Sequence, residues 1–149
     1  MCIRDRLQPV SGAEETEGSV DSAMVFVPLR RELGISSFGI NQVVLEPGRL
    51  GRIHRHERQE EVYVVLEGTL TVSIEGEERE IGQGEALRVA PSVRRQLLNR
   101  SGAPVSLLAL GGSGEHVGRD GEAFTSWDQE TGAPPQEVPL PEELPPPPG

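Results

Sequence analysis

The sequence predicts an all-β fold, a small antiparallel barrel or sandwich, and three observations carry that expectation. Aromatic residues are only 3% of the 149-residue chain. Val, Leu and Ile are left to build the core, which suits β-branched strands better than a helix bundle. Short apolar segments follow one another closely, with no sustained three-to-four-residue apolar period. Turn formers separate them at short intervals: Pro47-Gly48, Glu67-Gly68, Glu75-Gly76, Gly82-Gln83-Gly84, Pro91-Ser92 and Ser101-Gly102.

The first apolar run, Met24 to Leu29, reads as an edge strand or as a strand lent to a neighbouring subunit. Strands are then predicted from Ser37 to Leu45, Leu50 to His56, Glu61 to Leu66, Thr69 to Ile74, Glu78 to Ile81, Ala86 to Ala90, Arg94 to Leu98 and Val105 to Leu110. Residues 1–22 are polar and acidic and read as a disordered lead-in. Within them, Met1 to Arg6 read as a non-native prefix, so Cys2, the only cysteine, carries no redox information. Residues 23–112 form the expected barrel domain. Residues 113–149 are expected to be an extended, Pro-rich tail of polyproline type, pinned to the barrel by Phe124 and Trp127.

The formal net charge of −10 argues against nucleic acid or an anionic membrane surface as partner, because both require a basic footprint. No apolar run approaches the length of a membrane span, and no signal peptide is evident, so the cytoplasm is the expected location. All 14 basic residues are Arg, charged at any working pH.

The chemistry-bearing stretch runs from Gly48 to Gly68. Strand alternation places His54 and His56 on one face. Glu61, Tyr63 and Val65 share a face of the following strand, whereas Glu60 belongs with Val62 and Val64. Two imidazoles and one carboxylate can converge there on a divalent metal and leave coordination positions open. The spacing Gly48-x5-His54-x-His56-x4-Glu61-x6-Gly68 resembles the first motif of the cupin superfamily, and Gly84 to Asn99 is similar to its second. The resemblance spans roughly residues 36–111. It implies a jelly-roll β-barrel of six to eight strands, a bound divalent metal (Fe, Mn, Zn, Ni or Cu), a small-molecule ligand, and a homodimer formed by exchange of an edge strand, for which Met24 to Leu29 is the candidate.

The second motif departs from the family pattern at the expected third histidine, four residues before Asn99, where Arg95 stands. Arg has donors and no acceptor and is not a ligand. A guanidinium ~5 Å from a divalent ion would cost about 6–7 kcal/mol at an effective dielectric near 20. Structural zinc sites gain about 10–16 kcal/mol in total. Three outcomes follow: Arg95 swings away from a three-ligand metal site, pairs with Glu61 in place of the metal, or anchors the carboxylate or phosphate of a ligand.

Around this centre, Tyr63 is either a hydrogen-bond donor or general acid aimed into the pocket, or a core residue. Arg88 and Gln96 either line the cavity mouth or occupy ordinary strand positions. His116 is a candidate substitute ligand on the loop past the last predicted strand. Tyr63 and Arg95 are the catalytic candidates, and Arg95, Tyr63 and Gln96 are the ligand-binding candidates. The chain has no Walker loop, dinucleotide fingerprint or serine elbow. The expected function is metal and/or small-anion binding inside the barrel, with small-molecule oxygenase or isomerase chemistry. The alternative is a non-catalytic, metal-free binding module anchored by Arg95.

Overall fold

The computed structural model describes residues 24–112 and 120–145. In chain order the strands are β1 (Met24–Val27), β2 (Gly39–Leu45), β3 (Ile53–His56), β4 (Glu60–Glu67) and β5 (Leu70–Ile74), then β6 (Glu77–Ile81), β7 (Ala86–Val89), β8 (Arg95–Leu98), β9 (Val105–Gly112) and β10 (Gly121–Phe124). A four-residue helix, α1 (Leu29–Glu32), joins β1 to β2, and a 3-10 turn covers Pro135–Glu137. One antiparallel sheet has the order β1-β2-β9-β4-β7 and the other β10-β3-β8-β5-β6. The two facing sheets make the small antiparallel barrel that the strand count and turn spacing predict, and the jelly roll that the resemblance implies. No helix among the described residues is long and apolar enough to cross a membrane.

The core lies between the sheets. Val43, Leu45, Tyr63, Val65 and Leu107 enter it from one sheet, and Leu70, Val72 and Leu97 from the other. Period-two alternation puts these side chains on the inner face of each strand. At the outer edge of the second sheet, Glu77, Glu78, Arg79 and Glu80 of β6 are all exposed, a charged border that disfavours pairing with further strands.

Two motif residues prove to be structural. Gly68 has φ 83°, and a Cβ there would lie 2.7 Å from the carbonyl oxygen of Pro104, so only glycine fits. Asn99 is fully buried; its amide nitrogen donates to the carbonyls of Leu45 (2.9 Å) and Ala103 (2.8 Å). Its side-chain oxygen accepts from the Ser101 backbone N–H (2.9 Å) and hydroxyl (2.6 Å). Asn99 therefore ties the turn after β8 to the end of β2.

Two expectations are corrected. The strand predicted over Met24 to Leu29 ends at Val27, because Pro28 supplies no N–H and Leu29 already begins α1. β1 pairs with β2 of its own chain, Met24 opposite Leu45. The segment after residue 112 is more than an extended tail, since Gly121–Phe124 forms β10 and pairs with β3. With only Ala123 and Phe124 as apolar residues, it is too short to show a pattern. Its stability comes from pairing and from Phe124, buried with the guanidiniums of Arg55 and Arg94 each 5.5 Å from its ring. Trp127 also meets Arg94, which lies 5.9 Å from its ring and donates to its carbonyl at 2.8 Å. The lead-in, Cys2, His116 and Pro146 to Pro148 lie outside the described residues.

Candidate functional site

The site forms where the two sheets face each other. His54 and His56 project from β3 in one sheet, and Glu61 and Tyr63 from β4 in the other. The loop joining these strands is fixed by Asp120, whose carboxylate accepts the backbone N–H groups of Arg58 (3.0 Å) and Gln59 (2.8 Å). Its carbonyl accepts from Glu57 N–H at 3.1 Å. Burial alone would raise the Asp120 pKa, but these two N–H bonds, with the charges of His56 and Arg58, hold it below the usual carboxylate range. On the other flank, Ser92 N–H donates to the His56 carbonyl at 2.7 Å. Ser92 does this at φ 66°, in the left-handed conformation that non-glycine residues rarely adopt.

The His54 Nδ1 lies 3.0 Å from the Arg52 carbonyl. A carbonyl can only accept, so Nδ1 carries a proton, and Nε2 is the ring nitrogen directed into the pocket. That outer-shell bond is the usual way of orienting a metal-binding imidazole. The Nε2 atoms of His54 and His56 stand 3.7 Å and 3.6 Å from the same oxygen of Glu61, Oε2. Both separations exceed hydrogen-bond length. One ligating atom from each of the three residues lies within 4.8 Å of the others. Two imidazole nitrogens and a carboxylate oxygen at this spacing leave room for a cation between them. The mixed imidazole and carboxylate donor set suits a transition metal or zinc better than calcium or magnesium.

Arg95 supplies the fourth corner. Its Cα pairs across the strands with that of His54, and its side chain is fully buried. Nη2 is 3.2 Å from Glu61 Oε2, Nε donates to the Tyr63 hydroxyl at 3.2 Å, and Nη1 donates to the Val93 carbonyl at 2.8 Å. The Tyr63 hydroxyl in turn donates to Glu61 Oε2 at 2.5 Å. Of the three outcomes open from the sequence, the geometry has Arg95 paired with Glu61, while both imidazoles still face that carboxylate. Burial alone would raise the Glu61 pKa; the facing His54 and His56 and the charge of Arg95 outweigh it and hold the carboxyl well below its ordinary value. Burial and the Glu61 charge push the Tyr63 phenol well above its ordinary value, so it stays protonated as a donor.

A cavity of about 990 Å³ opens over this centre. His54, His56 and Glu61 line it, together with Asn41, Asp120, Arg30 and Arg31 of α1, and the Pro134–Glu137 segment. Neither Tyr63 nor Arg95 is among the lining residues; they support Glu61 from behind. Gln96 is not brought to the site. It follows Arg95 on β8 and so faces the opposite way, and its amide donates to the Gly51 carbonyl at 3.0 Å. Arg88 is exposed and pairs with Glu60, which confirms Glu61 as the inward carboxylate of the doublet. Arg30, Arg31, Asn41 and Asp120 were not legible as site residues, because nothing local distinguishes them from surface positions.

The family of cupin domains matches residues 41–111. Among solved structures, a cupin-superfamily sugar phosphate isomerase from Silicibacter pomeroyi is 27% identical, with a TM-score of 0.61, over 70% of this chain and 67% of that one. The cupin domain of an XRE-family transcriptional regulator from Enterobacter cloacae is 30% identical, with a TM-score of 0.56, over 61% of this chain and 97% of that one. A cupin conserved-barrel protein from Salinispora arenicola shares the fold at 18% identity and a TM-score of 0.59, over 74% of this chain and 90% of that one. No curated protein sequence matches the chain.

Proposed function

The chain belongs to the cupin superfamily, and from that premise we propose that it binds a divalent metal at His54, His56 and Glu61 and holds a small sugar phosphate in the cavity above them. One observation carries the reading. Two imidazole nitrogens from one sheet and a carboxylate from the other meet at the floor of an open cavity, at 3.6–3.7 Å, with the His54 tautomer set by a backbone carbonyl. The ligand class follows from the 27% identical isomerase of Silicibacter pomeroyi, and isomerisation of a phosphorylated sugar is accordingly the proposed reaction class.

When bound, the metal would be Fe, Mn, Zn, Ni or Cu, and it supplies Lewis-acid polarisation of a ligand hydroxyl or carbonyl oxygen. The chain's own residues do the positioning. Arg52 orients His54, the Ser92 N–H fixes the backbone of His56, and Tyr63 with Arg95 holds Glu61 ionised and in place.

Charge supports pairing the metal with an anionic ligand. Arg95 and Glu61 neutralise one another, so a divalent ion leaves two uncompensated positive charges at this centre. An anionic ligand offsets them, and by linkage metal and ligand raise each other's affinity by the same factor. The metal-free alternative relies on Arg95 as the anion anchor. The fully buried guanidinium, occupied by Glu61, Tyr63 and Val93, disfavours that role. Thermal melting of the full chain with aldose and ketose phosphates, with and without added Mn²⁺ or Zn²⁺, tests the reading. A sugar phosphate should raise the Tm, and more so with metal present. No shift with any sugar phosphate in either condition would overturn it.

A further inference from the structure

We propose that Arg30 and Arg31 form an anion-recognition end of the cavity and take the phosphate group of the ligand, whose other end reaches the His54, His56 and Glu61 centre. This rests on the reading that the cavity holds an anionic ligand, and it names the residues that select it. Both arginines line the same cavity as the two histidines, although they lie more than twenty residues away in sequence.

Three of the four carboxylates around the cavity already have partners. Glu60 is paired with Arg88 and Glu61 with Arg95, and the Asp120 carboxylate accepts two backbone N–H groups. Among the described residues, neither Arg30 nor Arg31 has an ion pair, although the Glu137 carboxylate also lines the cavity. The Nε of Arg30 is buried yet has no hydrogen-bond partner, and its Nη2 reaches the Ser36 carbonyl only at 3.5 Å. A buried guanidinium N–H without an acceptor is rare, because it forfeits its hydration without replacement. An incoming oxyanion supplies that acceptor in the planar geometry an arginine fork matches. Two guanidiniums lining one cavity suit a dianionic phosphate better than a single carboxylate, which one fork satisfies. The arginines are held in position: Leu29 is buried in the barrel, and Arg31 N–H donates to the Pro28 carbonyl at 3.0 Å.

Calorimetric titration of the full chain with inorganic phosphate tests this, using wild type, Arg30→Gln/Arg31→Gln, Arg30→Lys/Arg31→Lys, and the remote control Arg79→Gln/Arg100→Gln. Wild type should bind phosphate more tightly than acetate. The Gln pair should weaken phosphate binding by roughly tenfold or more, with the Lys pair in between and the control unchanged. His54→Ala/His56→Ala should still bind phosphate, even if no variant or wild type binds metal, which separates this proposal from the metal reading. Phosphate binding that is absent in wild type, unchanged in the Gln pair, equally lost in the control, or lost only in the histidine pair would overturn it. Acetate binding as tight as phosphate would overturn the phosphate assignment.

Discussion

Replacing Arg95 with Met is expected to destabilise the fold by about 3–5 kcal/mol, the usual cost of removing one member of a buried ion pair. Arg95 is fully buried, forms an ion pair with the Glu61 carboxylate, and donates to the Tyr63 hydroxyl and the Val93 carbonyl. Met fills similar volume but meets none of them. The penalty therefore comes from the groups left behind, chiefly the ionised Glu61. Removing that charge as well, in Arg95→Met/Glu61→Gln, should recover much of the loss, and the coupling is read from a double-mutant cycle in urea at pH 7. Acid dependence has a defined sign. The Glu61 carboxyl is lowered in the folded state, so its contribution is fully present above about pH 4.5 and is lost as the pH falls through the folded value. A single-variant loss below about 1 kcal/mol would show that the pair is not the stabilising element described here.

Arg95→His is expected to act in the opposite sense on metal. The β8 position pairs directly with His54, so an imidazole there faces the same centre. The change removes a cation that lies 3.2 Å from a ligating carboxylate and adds a third nitrogen donor. Affinity for Zn²⁺, read by competition with a chromophoric chelator, should rise at least about tenfold, or ~1.4 kcal/mol. The Coulomb cost of a nearby guanidinium would allow much more. Loss of the bonds to Tyr63 and Val93 offsets part of that gain. Unchanged affinity would mean that Arg95 does not address the metal position.

Much of the site was legible because strand geometry is local. Alternation placed His54 with His56, parity and the six-residue gap to Gly68 together chose Glu61 over Glu60, and the structure agrees. The same rule shows why Gln96 misses the pocket, since it follows the inward Arg95 on β8. Sheet membership was not legible. β3 and β4 are consecutive in sequence, yet they lie in opposing sheets, which is why their side chains meet across the barrel rather than side by side. The choice among roles for Arg95 depended on Tyr63 and Val93, which meet it only in the folded barrel. Short elements escaped for lack of pattern: α1 has four residues after Pro28, and β10 has two apolar ones. Arg30, Arg31 and Asp120 reach the cavity through long-range closure, and nothing in their own segments signals it.

The most direct test of a metal centre at His54, His56 and Glu61 is the metal content of the full chain purified without an affinity tag, measured by mass spectrometry beside His54→Ala/His56→Ala. The account predicts a near-stoichiometric divalent ion in wild type that disappears in the double variant while the β-sheet circular dichroism is retained. Wild type that is metal-free and takes up none on titration, or a double variant that keeps its metal, would contradict it.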